Sequence, residues 1–245
     1  VTVLDRIQTC GLIKEQLGVG RVAVSRYSDG EYALLCGKAA GTKENPKALA
    51  GLLKKAIHTP GQLVCVNHLK PHNIRNNDKW VKVQRGLVKL GECSQYGCAN
   101  WNISDYQDDC SLLPNFFKGS VLLLTRFASL GKVVFKDKGI DIECMHTKGS
   151  SASDEYGIIK TKLLDTCNKY DNILFSCGPI GKVLLVDLIS HFKGNLIDFG
   201  SLVNAILDPY CKKSLVAQWD MSWSRKVNLK KLSDRFFANV GVVLG

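Results

Sequence analysis

Apolar positions along the chain switch repeatedly between helical spacing and short unbroken runs. In the stretch 3–18, VLDRIQTCGLIKEQLG, the residues Leu4, Ile7, Leu12, Ile13 and Leu17 recur at helical intervals and the pattern stops at a glycine. RVAVS is a short β-branched run and predicts a strand. A turn is expected at Tyr27–Asp29, then a helix from about Gly30 to Cys36. NPKALAGLLKKAIHTPG predicts a further helix, with Pro46 near its start and a Pro-Gly stop. QLVCVNH reads as a strand and DKWVKVQRGLVKLG as an amphipathic helix. Residues 91–118 are rich in polar and turn residues and suit an irregular connection or a substrate-facing segment.

The second half repeats the alternation. GSVLLLTRF is continuously apolar, as in a strand buried on both faces, and GIDIECMH is another strand. ASDEYGIIKTKLLDTCNKY predicts a helix with Ser153 as its N-cap. DNILFSCG, PIGKVLLVDLISHF, GNLIDFG and SLVNAIL follow as strand, helix, strand and short helix. Residues 209–245, with Trp219 and Trp223, form a basic C-terminal extension of one domain spanning 1–245. This order predicts an α/β fold: three Rossmann-like layers, with a mostly parallel sheet flanked by helices. Ligands in such folds bind at the carboxyl ends of strands. That rule selects Arg26–Glu31, Asn67–His72, Arg126, His146–Ser151, Cys177–Lys182 and Asp198–Ser201.

Composition narrows the class. With 45% apolar and 22% charged residues the chain is neither disordered nor fibrous. Its longest apolar runs, GSVLLLT and VLLVDLI, are too short to span a bilayer. The opening VTVLDRIQTCG carries charge early and lacks a signal-peptide h-region, so a cytoplasmic protein is expected, with peripheral membrane contact at most. The net charge of +11 favours anionic partners: nucleic acid, an anionic membrane or phosphorylated small molecules. A solvated basic surface accounts for it equally well. The ten cysteines include no C-x-x-C pair, and Cys36, Cys65, Cys144, Cys167 and Cys177 lie inside apolar runs. This fits buried thiols in a reducing compartment, and disfavours a zinc site drawn from Cys93, Cys98, Cys110 and a histidine.

Three stretches carry candidate chemistry. Gly178-Pro179-Ile180-Gly181-Lys182 follows a strand and opens a helix, the setting of a phosphate-binding turn and equally of a plain structural turn. It is not a Walker A loop, and no G-x-G-x-x-G or G-x-S-x-G motif occurs in the chain. In SRYSDGEYALLCG, Asp29 and Glu31 can cap a helix or hold a hard divalent cation. Arg26 there can contact a phosphate or hold Asp29 in place. Asp198, at the end of an apolar strand, can cap the following helix, support a metal or act as a general base. His68, His72 and His146 also lie near strand ends and read as ordinary histidines.

Taken together, SRYSDGEYALLCG and LFSCGPIGKVLLVDLISHFKGNLIDFG resemble the R-[FY]-G-D-G-E motif and the later G-P turn and D-[IF]-G segment of GT-D-type glycosyltransferases, in the same order. The resemblance loosely covers residues 20–208. It implies sugar transfer from a nucleotide-sugar donor, a UDP-sugar foremost, to a hydroxyl of a glycan or glycoconjugate acceptor. It implies Mn²⁺ or Mg²⁺ held by the D-x-E acids Asp29 and Glu31. It also places Arg26, Ser28, Gly30 and the Gly178–Lys182 turn near the donor diphosphate, with Asn67, His68, Arg126, Ser176, Pro179 and Lys182 as further donor contacts. Asp198, Asp154 and Glu155 are the candidate bases. Ser28 replaces the family's glycine, and Ser201 stands where a histidine is common. Two other readings compete: a basic nucleic-acid-binding or nuclease-like α/β domain, and a non-catalytic scaffold of the same fold.

Overall fold

The computed structural model describes residues 1–38, 46–67, 78–102, 112–148, 154–211 and 228–244. Eight short strands form its centre: β1 (Thr2–Val3), β2 (Ala23–Arg26), β3 (Leu63–Val66), β4 (Gln95–Cys98), β5 (Val121–Thr125), β6 (Glu143–His146), β7 (Asn172–Ser176) and β8 (Asn195–Asp198). They lie in the order β1-β4-β3-β2-β8-β7-β5-β6, and every pairing is parallel. A parallel sheet must be covered on both faces. β5 shows why the sequence demands it, since all five of its residues are buried.

The helices are α1 (Arg6–Val19), α2 (Asp29–Leu35), α3 (Pro46–His58), α4 (Asp78–Gly91), α5 (Ala128–Asp137), α6 (Tyr156–Thr166), α7 (Pro179–Leu188), α8 (Leu202–Leu207) and α9 (Leu229–Leu244). On one face of the sheet, α1, α5, α8 and α9 bury Ile13, Phe135, Val203 and Phe236 in a common core. On the other, α2, α3, α4, α6 and α7 bury Leu34, Leu53, Leu87, Ile159 and Leu184. The three layers are those expected from the sequence. The two halves of the sheet join where β2 pairs with β8, with Ala23 opposite Leu196 and Val24 opposite Ile197. From that seam β3 and β4 run outward on one side and β7, β5 and β6 on the other. Doubly wound sheets bind ligands in a crevice at the carboxyl ends of such neighbouring strands.

Tertiary pairing made elements that the pattern did not announce. β4 lies inside the segment 91–118 that reads as irregular. Its Gly97 faces β3 so closely that an added Cβ would fall 2.6 Å from Cys65 Sγ, so the strand exists by contact with β3 rather than by propensity. α9 occupies the basic extension: Leu232, Phe236, Phe237 and Val240 keep helical spacing beneath its charges and are buried. The candidate N-cap Ser153, as well as Ser151, His68, His72, Cys110, Trp219 and Trp223, lie outside the described residues. Among the described residues no helix is long and apolar enough to cross a membrane.

Phe117 ties α9 to the strand that carries Asp198. Its ring stacks on Phe135 at 5.6 Å between centroids and meets Phe199 and Phe236 edge-on at 5.9 and 5.2 Å. Phe117→Ala is expected to lower unfolding stability by about 3–5 kcal/mol, measured by urea denaturation.

Candidate active site at the β2/β8 seam

Three strand-to-helix turns meet at the carboxyl edge of the seam: β2 to α2, β7 to α7, and β8 to α8. The side chain that joins them is Lys182. It lies in α7, whose residues from Pro179 to Leu185 are all buried. A lone ammonium in such a helix is too costly to bury without partners. Lys182 Nζ has two anionic partners, Glu31 Oε1 and Asp198 Oδ2, each at 3.0 Å. It also donates to Gly178 O at 3.3 Å, which gives each of its three N–H bonds an acceptor.

The carboxylates are engaged on their remaining oxygens. Glu31 Oε2 accepts the Ser28 N–H at 2.9 Å, reaching back across the first turn of α2. Asp198 Oδ1 accepts the Gly200 N–H at 3.0 Å, and Oδ2 also accepts the Arg26 N–H at 3.1 Å. The cluster is therefore buried, hydrogen-bonded throughout and formally −1. Burial alone pulls the Lys182 ammonium down, but Asp198 and Glu31 outweigh it and hold its pKa above the ordinary lysine value. A raised lysine stabilises the fold fully below its unfolded value of about 10.4 and loses that contribution only as pH climbs through the higher folded value. The Lys182 ammonium thus keeps its charge across the neutral range. Tyr27, fully buried on the same face of the sheet, has its pKa pushed well up by burial and then by Glu31 and Asp198.

The two D-x-E acids face different surroundings. Glu31 points inward to Lys182, whereas Asp29 is 42% exposed and pairs with Lys79 at 3.2 Å. Ser28 Oγ donates to Asp29 Oδ1 at 3.0 Å. Ser28 itself has φ −137°, an extended conformation open to any residue, so the position does not require the glycine of the resembled motif. Gly30 lies in the first turn of α2 with open space where a side chain would project.

Arg26 does not hold Asp29. Strand alternation turns it to the opposite face of the sheet from Tyr27. Its guanidinium donates to Ala99 O through Nε and to Phe199 O through Nη1 at 3.2 Å. Asn102 Nδ2 donates to the same Phe199 carbonyl at 3.0 Å. This packing explains Gly200, whose φ is +56° and where a Cβ would lie 2.1 Å from Arg26 Nη1.

The other expected residues spread along the rim. Ser176 Oγ donates to Gly200 O at 2.6 Å, beside the cluster. Gly178, at φ +70°, permits the turn into α7, and Pro179 occupies its first position. Asn67 follows β3, buried, with its Nδ2 lacking a hydrogen-bond partner among the described residues. Arg126 sits at the end of β5 over the Phe127 ring at 4.4 Å. Asp154 and Glu155 follow β6, four strands from β2, a separation of about 19 Å at the usual strand spacing. Glu155 pairs with Lys148 at 3.4 Å. The structure therefore brings Glu31, Asp198, Lys182 and Gly178 together and leaves Asp154, Glu155 and Arg126 apart from them. The clamp was foreshadowed by a single lysine in the otherwise apolar first turns of α7. Lys79, the partner of Asp29, carried no such signal, because it sits on an exposed face.

For a cation, Asp29 is the acid with an accessible carboxylate, whereas both Glu31 oxygens are engaged. One carboxylate suits a hard divalent ion that keeps water and takes phosphate oxygens from a ligand. Among the described residues no three His, Cys, Asp or Glu side chains are grouped to hold a metal.

No protein-family model and no curated protein matches the chain. Its fold does match solved structures. One, described as a new glycosyltransferase (DUF1792) from Streptococcus sanguinis, aligns with a TM-score of 0.67 at 17% identity, over 90% of this chain and 92% of that one. Another, described as the highly conserved domain of unknown function 1792 with a distinct glycosyltransferase fold, aligns with a TM-score of 0.64 at 21% identity, over 82% and 78%. A selenomethionine-substituted structure of the same domain gives 0.65 at 20% identity, over 82% and 79%. At these identities the fold is what is shared, and it is a fold described as that of glycosyltransferases.

Removing the Lys182 charge strands two buried carboxylates. Lys182→Met is expected to destabilise the protein by about 3–5 kcal/mol in urea unfolding at neutral pH. Adding Glu31→Gln and Asp198→Asn to that variant is expected to restore most of the loss, because no uncompensated charge then remains.

Proposed function

We propose that the protein transfers a sugar from a nucleotide-diphosphate-sugar donor, a UDP-sugar foremost, to a hydroxyl of a glycan or glycoconjugate, with the help of Mn²⁺ or Mg²⁺. One observation carries this reading. The D-x-E turn, the G-P turn and the D-F-G turn are far apart in sequence, yet Lys182 binds all three at the ligand crevice of the sheet. The shared fold supports it.

The roles divide as follows. Asp29 presents its carboxylate at the rim and would hold the cation; Glu31 fixes the turn that presents it. When bound, such a cation neutralises charge on the departing nucleoside diphosphate. Gly178, Pro179 and Ser176 shape the floor beside the donor phosphates. Asp198, with Lys182 and two backbone N–H groups on its oxygens, acts as a positioning acid rather than as the base that takes the acceptor proton. Asp154 and Glu155 serve as bases only for an acceptor that extends along the rim toward β6.

A thermal-shift screen of UDP-, GDP-, CMP- and dTDP-sugars, with and without Mn²⁺ or Mg²⁺, tests this. A UDP-sugar is expected to raise Tm only with metal present. Asp29→Ala should remove the metal-dependent part while leaving the Tm of the unliganded protein unchanged. A parent protein indifferent to every donor defeats the activity reading; an Asp29→Ala variant that responds like the parent defeats the metal assignment.

A further inference from the structure

Among the described elements, positive charge is most concentrated on two helices. α3 and α4, of 13 and 14 residues, carry seven Lys and Arg against one acid, Asp78, which is +6 of the chain's +11. Of the other charged helices, α2 carries only the acids Asp29 and Glu31 and the rest mix signs: Lys14 adjoins Glu15 in α1, Lys162 and Asp165 share α6, and Asp234 sits among the cations of α9. The two basic helices lie on the same face of the sheet and pack against one another. Their apolar sides, Leu49 and Leu53 on α3 and Val83 and Leu87 on α4, are buried against that face. Their outward sides carry Lys54, Lys55, Lys82, Arg85 and Lys89, all exposed, and none has an acidic partner among the described residues. Each helix is about 20 Å long and packed helices lie about 8–10 Å apart, so the cations cover a broad patch. At its upper end Lys79 reaches Asp29, so the patch adjoins the candidate site.

We infer that the α3/α4 face docks the protein on an anionic lipid bilayer. Like charges left unbalanced over two adjacent helices repel one another, and an opposed sheet of lipid phosphates and carboxylates relieves that repulsion. The patch is formed by two side-by-side helices whose described exposed side chains are basic, polar or small, and whose cations spread over two helix widths rather than along one groove. A planar surface suits it better than a nucleic-acid strand. Docking in this way sets the rim beside Asp29 next to the membrane, where a glycoconjugate acceptor would be carried by a lipid. The docking itself does not rest on the proposed activity.

Sedimentation of the full chain with phosphatidylcholine vesicles, with and without phosphatidylserine, tests the inference. Binding is expected only to the phosphatidylserine vesicles, and is expected to weaken as salt rises. Replacing Lys54, Lys55, Lys82, Arg85 and Lys89 together by Gln should cut the partition coefficient by at least about a hundredfold, taking about fivefold per cation. Lys230→Gln with Lys231→Gln, on the opposite face of the sheet, should change it little. An unaltered Tm keeps the five-site variant interpretable. The inference falls if anionic vesicles bind no better than neutral ones. It also falls if the α9 variant loses as much as the five-site variant, or if the same five residues bind a single-stranded oligonucleotide more tightly than the vesicles.

Discussion

A buried ammonium cannot be left unpaired, and that constraint organises the carboxyl edge of this protein. Lys182 sits in the otherwise apolar first turns of its helix, so its charge must be met from elsewhere in the chain. Glu31 arrives from the helix after β2 and Asp198 from the end of β8. Each brings a turn that its own second hydrogen bond holds in shape. Breaking any one partnership strands another charge, so the three turns form one unit rather than three neighbouring loops. The clamp closes the seam between the two halves of the sheet.

The same constraint separates the two acids of the D-x-E stretch. Glu31 is spent on structure, which leaves Asp29 to face the rim. Holding the turn and presenting an accessible carboxylate do not compete for these residues. One carboxylate holds the turn while the other is displayed by it. Arg26 belongs to this structural economy as well, because its guanidinium ties the carbonyl ends of β4 and β8 on the far face of the sheet.

Outside the seam the molecule distributes charge unevenly. The face carrying α2, α7 and the clamp is extended by the basic α3 and α4, whereas α9 buries Leu232, Phe236 and Phe237 beneath a mixed-charge surface. The net charge therefore describes a direction as well as a magnitude. Among the described elements the largest excess lies on α3 and α4, far upstream of the basic C-terminal segment.

Local pattern alone determined the α/β class, because buried parallel strands such as VLLLT leave an unbroken apolar signature and the helices between them keep a 3.6-residue period. It also located the strand ends that the seam brings together, Ser28–Glu31, Gly178–Lys182 and Asp198 among them. It did not reveal β4, whose Tyr96-Gly97-Cys98 has little strand signature of its own and forms by pairing with β3. Nor did it reveal which acid meets which base. Asp29 and Glu31 are two residues apart and chemically alike, and only the packing of α7 against β2 and β8, and of α2 against α4, sends one to Lys182 and the other to Lys79. Periodicity is a local property and survives in the sequence; the pairing of buried charges is a long-range one, decided by which elements the sheet order brings side by side.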